Sequence, residues 1–266
     1  MINMSDKITL KYPVIFVHGI IAHDRKSFIN FWGRIPEILI NMGNKVFFGN
    51  TDAWGDCRSN ALILKNTIEN VLKETNSERV NIISHSKGGI DSRYLIWRHD
   101  FGDKIASLTT ICTPHNGAEI ADLLFSKKIT HTRFFKKVLL MFGKMYGDIK
   151  PNLFNVNYQL TTFKMKEFNE KVIMDTRVFY QNFYISMKNA FDDFMFHSTY
   201  KYINKISGKN DGLVSEKSAD WGVNSFKIEG GISHAEILDY KKKKISGKNI
   251  PDIYINMIRE LSGKGF

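Results

Sequence analysis

Ser86 stands between Ser84 and Gly88, at the end of the apolar, β-branched run 80–83 and in front of a stretch patterned as a helix. A serine hydroxyl becomes a useful nucleophile only when a neighbouring base takes its proton, and a strained strand-to-helix turn can hold it clear of its own chain. Such a turn needs small neighbours, because backbone packs on backbone there. Gly88 supplies one small flank and Gly89 lets the new helix approach the strand; at the other flank Ser84 stands in place of glycine, so Gly-x-Ser-x-Gly is kept as Ser-x-Ser-x-Gly. A base and an acid follow in the chain. Asp211 lies in the polar turn Asn210, Asp211, Gly212, and His234 comes 23 residues later, after Gly230, Gly231, Ile232 and Ser233. The order Ser, Asp, His is one of several in which nature strings this set along a chain. Upstream, Pro13 to Gly19 reads as a buried strand entering a glycine loop, the kind of loop that commonly lends an N–H to a developing oxyanion.

Competing assignments are weaker. Asp91 falls inside the helix after Ser86 and would point the wrong way, and Asp56 lies far upstream of Asp211 in the polar stretch before a helix. His197 precedes Asp211 and would break the chain order. His18 and His115 sit in loops where imidazoles tie backbone turns together, and His85 is the variable position of the serine turn. His23, His99, His131 and His197 have no acidic or cysteine partner at metal-ligand spacing.

The elements that must position these residues alternate between strand and helix. Strand patterns occur at 14–17, 45–48, 80–83, 108–113, 177–186 and 225–229; helical patterns occur at 27–42, 60–74, 89–99 and 251–261, the last with a proline near its first turn. Short buried strands alternating with helices predict an α/β fold with a mostly parallel central sheet covered on both faces. The alternation fails between about 118 and 175. There, residues 130–146 mix Phe134, Leu139 and Phe142 with Arg133, Lys136, Lys137 and Lys144, a pattern suited to an amphipathic helical cap or lid.

With 266 residues, the chain suits one domain carrying an elaborated cap. The 38 Lys and Arg against 27 Asp and Glu give a formal charge of +11, which favours anionic surfaces such as phospholipid headgroups. No zinc-finger, helix-turn-helix or aromatic RNA-binding pattern accompanies that charge, so no nucleic-acid partner is expected. Lys241 to Lys244 reads as a solvated run. Two cysteines, Cys57 and Cys112, imply no disulfide framework, and Cys112 in an apolar run reads as a buried thiol. No segment approaches the roughly 18 apolar residues of a membrane span. A cytoplasmic protein is the expectation from the absence of a signal peptide, and a secreted one if a leader has been removed.

Taken together, residues 14–20, residues 80–89, Thr113-Pro114-His115-Asn116-Gly117, residues 210–214 and His234 resemble, in order, the bacterial triacylglycerol lipases of the α/β-hydrolase superfamily. Leu160-Thr161-Thr162 and Phe168-Asn169 in the cap are similar to those lipases too. The resemblance implies an α/β-hydrolase fold over residues 1–266 with a cap or lid insertion at about 118–175. It implies Ser86 as nucleophile, Asp211 as orienting acid and His234 as general base, with the backbone N–H groups of Ile20 and Lys87 as oxyanion donors. It implies a lipase or esterase acting on acylglycerols or related lipid esters through an acyl-enzyme, with Phe134, Leu139 and Phe142 facing substrate or a lipid interface. A thioester or amide hydrolase, an acyltransferase and a non-catalytic lipid binder on the same scaffold are the alternatives. No cofactor is required on this reading. Those lipases often carry a structural calcium ion beside the histidine loop, and the positions corresponding to its carboxylates are Asp192 or Asp193 and Glu236. The two-histidine zinc insertion of a thermophilic branch has no counterpart, since residues 53–77 contain no histidine.

Overall fold

The computed structural model describes residues 7–20, 31–126, 148–222 and 224–266. Among these residues, β1 (Val14–Val17), β2 (Val46–Phe48), β3 (Val80–His85), β4 (Ile105–Ile111), β5 (Phe179–Ile185) and β6 (Ser225–Ile228) form one sheet in the order β2-β1-β3-β4-β5-β6. Every adjacent pair is parallel. Parallel neighbours need crossover connections. These are supplied by α1 (Ile35–Asn41), α2 (Cys57–Thr75), α3 (Lys87–Arg98), and, between β4 and β5, α4 (Glu119–Ser126), α5 (Leu153–Gln159) and α6 (Thr162–Lys171). Helices α7 (His197–Ser207) and α8 (Glu216–Ala219) join β5 to β6, and α9 (Ile250–Gly263) closes the fold.

The period-two alternation along the strands sets the layers. Val14, Phe16, Ile83, Ile111, Phe183 and Ile185 pack on one face with Trp32, α1 and α9, including Tyr254 and Ile258. Ile15, Val17, Val80, Ile82 and Leu108 pack on the other with Leu64, Ile68 and Val71 of α2 and Leu95 and Ile96 of α3. β1, with all four residues buried, reads as the continuous hydrophobic run of a central parallel strand, while β3, β4 and β5 interleave buried polar residues such as Asn81, Thr109 and Asn182.

Several element limits differ from the sequence expectation, two of them for reasons of backbone geometry, and one helix was not expected. The helix placed at 27–42 begins at Ile35: Gly33 has φ +53°, Pro36 sits in the first turn, and residues 21–30 lie outside the described residues. The strand placed at 108–113 runs from Ile105 to Ile111, because Cys112 turns to φ +53° and ends it. Helix α7 was not anticipated, since only Tyr200 and Ile203 of its eleven residues are buried. In the cap, the flanks are helical as α4, α5 and α6; the basic segment 130–146, with Phe134, Leu139 and Phe142, lies outside the described residues.

Candidate active site

Ser86 occupies the turn between β3 and α3 with φ +53° and ψ −130°, a conformation costly for a residue with a side chain. Its neighbours account for the turn. A Cβ on Gly88 would come 2.5 Å from the carbonyl oxygens of Val17 and His18, one on Gly89 2.3 Å from the Thr113 hydroxyl, and one on Gly19 2.7 Å from the Ser86 Cβ. Only glycine permits these approaches. Ser84 is tolerated where glycine is usual because it is fully buried with its hydroxyl donating to the Thr109 carbonyl at 3.0 Å. Backbone bonds fix the turn further: Ser86 N–H donates to Ile111 O at 2.9 Å, and the Thr113 hydroxyl donates to Ser86 O at 2.8 Å.

Asp211 and His234 are brought together from separate loops. The Asp211 Oδ2 accepts from His234 Nδ1 at 2.7 Å, with both side chains buried. Its Oδ1 accepts from the Leu213 and Val214 N–H groups at 2.9 and 2.8 Å, and His234 N–H donates to Asp211 O at 2.8 Å. The carboxylate is therefore aimed and the imidazole held in the tautomer that leaves Nε2 as the accepting nitrogen. Ile20 follows Gly19, which packs on Ser86, and Lys87 opens α3, so both predicted oxyanion donors flank the serine in the chain or in space.

Two residues beside this pair were not singled out by sequence. The ring of His85 lies 4.6 Å from that of His234, centroid to centroid, and its Nε2 donates to the His234 carbonyl at 3.0 Å. Burial, with a smaller contribution from His234, holds the His85 pKa well below the ordinary 6.5, so it is a neutral donor. Cys112 is fully buried; burial first, then the charge of Asp211, push its pKa well above 9.0. Ligand atoms of His85, Cys112 and His234 lie within 4.8 Å of one another, a donor set suited to a soft metal ion. His234 Nδ1 is engaged with Asp211 and His85 Nε2 with the His234 carbonyl, so the two imidazoles are already tied by hydrogen bonds. The signal in sequence was adjacency: His85 precedes the serine and Cys112 ends the next strand.

The rivals fall elsewhere. Asp91 is buried against Lys87 Nζ at 2.5 Å and Asn60 Nδ2 at 2.8 Å. Asp56 caps α2, accepting from Arg58 and Ser59 N–H. His197 bonds the Ala190 carbonyl, and the His18 ring lies between the carbonyls of Gly19 and Thr51. His115 is buried, accepts from Arg93 at Nδ1 and donates from Nε2 to the Thr110 hydroxyl, each at 3.1 Å. A cavity of about 560 Å³ between α2, α3 and the cap is lined by Tyr94, Trp97, Tyr158 and Phe168, and by none of Ser86, Asp211 and His234.

The calcium candidates divide. Asp192 accepts from Lys188 N–H, Asn189 N–H and Asn189 Nδ2, all within its own turn. Asp193 and Glu236 are buried and converge from different segments, but on Lys241 Nζ, at 3.6 and 2.7 Å. Lys241 is therefore paired and about 29% exposed, not part of a freely solvated run. Burial lowers its pKa, and the hydrogen bond and charge of Glu236, with Asp193, outweigh that and raise it.

A parallel sheet in this order, covered on both faces, with a left-handed serine at the end of β3 and an Asp–His pair on loops beyond β5 and β6, defines the α/β-hydrolase class. Residues 55–250 match the model of the family described as lipase-like, C-terminal domain, and the chain belongs to that family of hydrolases. Triacylglycerol lipase 2 of Saccharomyces cerevisiae is 28% identical over 260 residues, covering 90% of this chain and 75% of the yeast protein. A triacylglycerol lipase of Pseudarthrobacter phenanthrenivorans is 32% identical over 154 residues, covering 55% of this chain and 47% of its own length, so the match takes in about half of that bacterial relative. Among solved structures, the mature Bacillus licheniformis lipase superposes with a TM-score of 0.67 at 22% identity, covering 93% of this chain and 91% of its own. A metagenomic carboxyl esterase superposes with a TM-score of 0.73 at 14% identity, covering 98% of this chain and 77% of its own. At these identities the two structures speak for the fold.

Proposed function

We propose that the chain is a serine carboxylic-ester hydrolase acting on acylglycerols or related lipid esters, with Ser86, Asp211 and His234 as its triad. The observation that carries this reading is the buried 2.7 Å contact of Asp211 with His234 Nδ1 in a molecule that also holds Ser86 at a left-handed turn. In the proposed reaction, His234 Nε2 takes the hydroxyl proton as Ser86 Oγ forms a bond to the ester carbonyl carbon. The carbonyl oxygen becomes an oxyanion, which the N–H groups of Ile20 and Lys87 stabilise by roughly 3 kcal/mol each if they act as known oxyanion donors do. Collapse breaks the carbon–oxygen bond to the alcohol, which leaves with the proton from His234. Water then repeats the attack on the acyl-serine and releases the carboxylic acid.

The lipid part of the reading is supported by the triacylglycerol lipase relatives and by an exposed apolar tip, where Phe191, Phe194 and Met195 are 67, 79 and 67% exposed. A charge of +11 favours contact with an anionic surface around such a tip. The expected lid residues Phe134, Leu139 and Phe142 belong to the same proposal.

The test combines an organophosphonate label with rate measurements across the solubility limit of esters of increasing chain length. Wild type is expected to carry one label per chain, Ser86→Ala none, and Ser86→Ala to lose at least about 10³-fold in kcat with its fold intact. Near wild-type turnover by Ser86→Ala sinks the triad; turnover that does not rise once long-chain esters form droplets leaves an esterase of soluble substrates.

A further inference from the structure

We infer that the ammonium of Lys241 is a built-in cation that positions the His234 loop, doing the work that a bound calcium ion does where one is present, so that this chain holds its loop without a divalent ion. The inference rests on the triad reading for its catalytic consequence and on geometry alone for its structural one.

Two carboxylates from distant segments face each other here. Asp193 caps the short helical turn 194–196, accepting from Met195 N–H at Oδ1, while its Oδ2 accepts from the Ser233 hydroxyl at 2.7 Å. Glu236 accepts from the Ser233 N–H at 3.1 Å through Oε2. Ser233 precedes His234 directly. The side chains of Asp193 and Glu236 are only 6 and 4% exposed, so their mutual repulsion is little screened and a cation beside both relieves it. Lys241 Nζ is that cation, at 2.7 Å from Glu236 Oε1 and 3.6 Å from Asp193 Oδ2. An ion of calcium size would need the same oxygens at 2.3–2.6 Å together with several more. The ammonium fills that place and leaves the carboxylates without room for a resident ion. The loop is fixed a second time at Asp239, whose carboxylate receives Arg34 Nε and Nη2 at 2.8 and 2.7 Å. The Lys241 contact reaches Glu236, two residues after His234, and through Ser233 it bears on the imidazole.

Removing the ammonium leaves two buried anions and a hydroxyl, which is the start of a divalent-ion site. The experiment takes the full chain, wild type and Lys241→Met, Lys241→Arg and Lys241→Met/Asp193→Asn, and measures Tm, kcat and KM on a soluble ester after chelation and with calcium chloride titrated into the millimolar range. Expected for wild type is no change in any reading. Lys241→Met is expected to lose on the order of 5 °C in Tm and about tenfold in kcat, with KM within about twofold. Calcium should restore much of both losses, and Lys241→Arg should behave as wild type. A kcat loss without a KM change, rescued by either cation, is a response that a merely structural lysine would not give. If Lys241→Met does not fold, the double variant, relieved of one anion, is expected to fold and to ignore calcium. Loss of wild-type Tm on chelation, an unaltered Lys241→Met, a Lys241→Met that calcium does not rescue, or a double variant that also fails to fold would each overturn the inference. Phosphonate labelling of Ser86 in wild type reports separately on the triad, since the Tm measurements do not depend on it.

Discussion

Cys112 and Ser86 share an unusual backbone state, φ +53° in both, at the ends of adjacent parallel strands β4 and β3. For Ser86 the strain presents a hydroxyl. For Cys112 it places the buried sulfur within 4.8 Å of ring nitrogens of His85 and His234, beside the Asp211–His234 pair. Deleting that sulfur opens a small cavity against the imidazole that the pair must hold still. Cys112→Ala is therefore expected to lower kcat by about fivefold, equivalent to roughly 1 kcal/mol, with KM unchanged. Steady-state kinetics on a soluble ester checks it, and an unchanged kcat would reduce Cys112 to packing that does not bear on the imidazole. At this scale the sequence pointed to Ser86, Asp211 and His234 as candidates because small neighbours, polar turns and chain order each constrain chemistry, and the structure pairs two of them, Asp211 and His234. Cys112 and His85 stayed hidden, since an apolar run and a variable turn position say nothing about which loop will fold over them. Lys241 was hidden by its three lysine neighbours.

Elements position the site through close backbone contact. Helix α3 can start at Lys87 only because Gly88 lies against β1 and Gly89 against Thr113. The cap is joined to the body by a reciprocal pair of carboxylates. Asp52 accepts from Ile149 and Lys150 N–H at 2.9 and 2.7 Å, and Asp148 accepts from Ala53 and Trp54 N–H, both at 2.9 Å. Asn152 N–H adds a bond to Trp54 O at 2.6 Å. Four amide donors thus close on two side chains just ahead of α5. Asp52→Ala would leave two of the donors without their acceptor, at a cost of about 1–3 kcal/mol. The expected sign is local: faster amide exchange and protease nicking at residues 148–152, with the sheet amides unaltered. Equal protection in wild type and variant would show that the contact holds nothing. Strand positions were legible from short β-branched and aromatic runs bounded by polar turns, whether buried as β1 is or half-exposed as β6 is. Helix limits were less so, because caps such as Asp56 and stops such as Gly33 act through geometry that hydrophobic spacing does not encode.

Across the whole molecule, the doubly covered sheet buries polar groups as well as apolar ones, and two of them make the fold sensitive to acid. His85, beside His234, and His115, in the chain of contacts from Arg93 to Thr110, are both fully enclosed. Burial is the main cause of both low pKa values, reinforced by His234 at His85 and by the Arg93 guanidinium at His115; both lie well below 6.5. In the unfolded chain each titrates near 6.5. Below that pH the unfolded state binds protons that the native state refuses, so the contribution is fully present above about pH 6.5 and declines as the pH falls. Two such groups give a limiting slope of about 2.7 kcal/mol per pH unit, twice the value for one. His99, half-exposed and also lowered, adds a smaller share. Urea midpoints measured between pH 7 and pH 5.5 avoid most carboxylate titration and should fall steeply for wild type. His115→Gln removes one titrating ring, so its stability at pH 7 is expected to be lower while its slope is about half as steep. A variant with the wild-type slope would mean that His115 accepts its proton in the folded state, and that the acid sensitivity has another source.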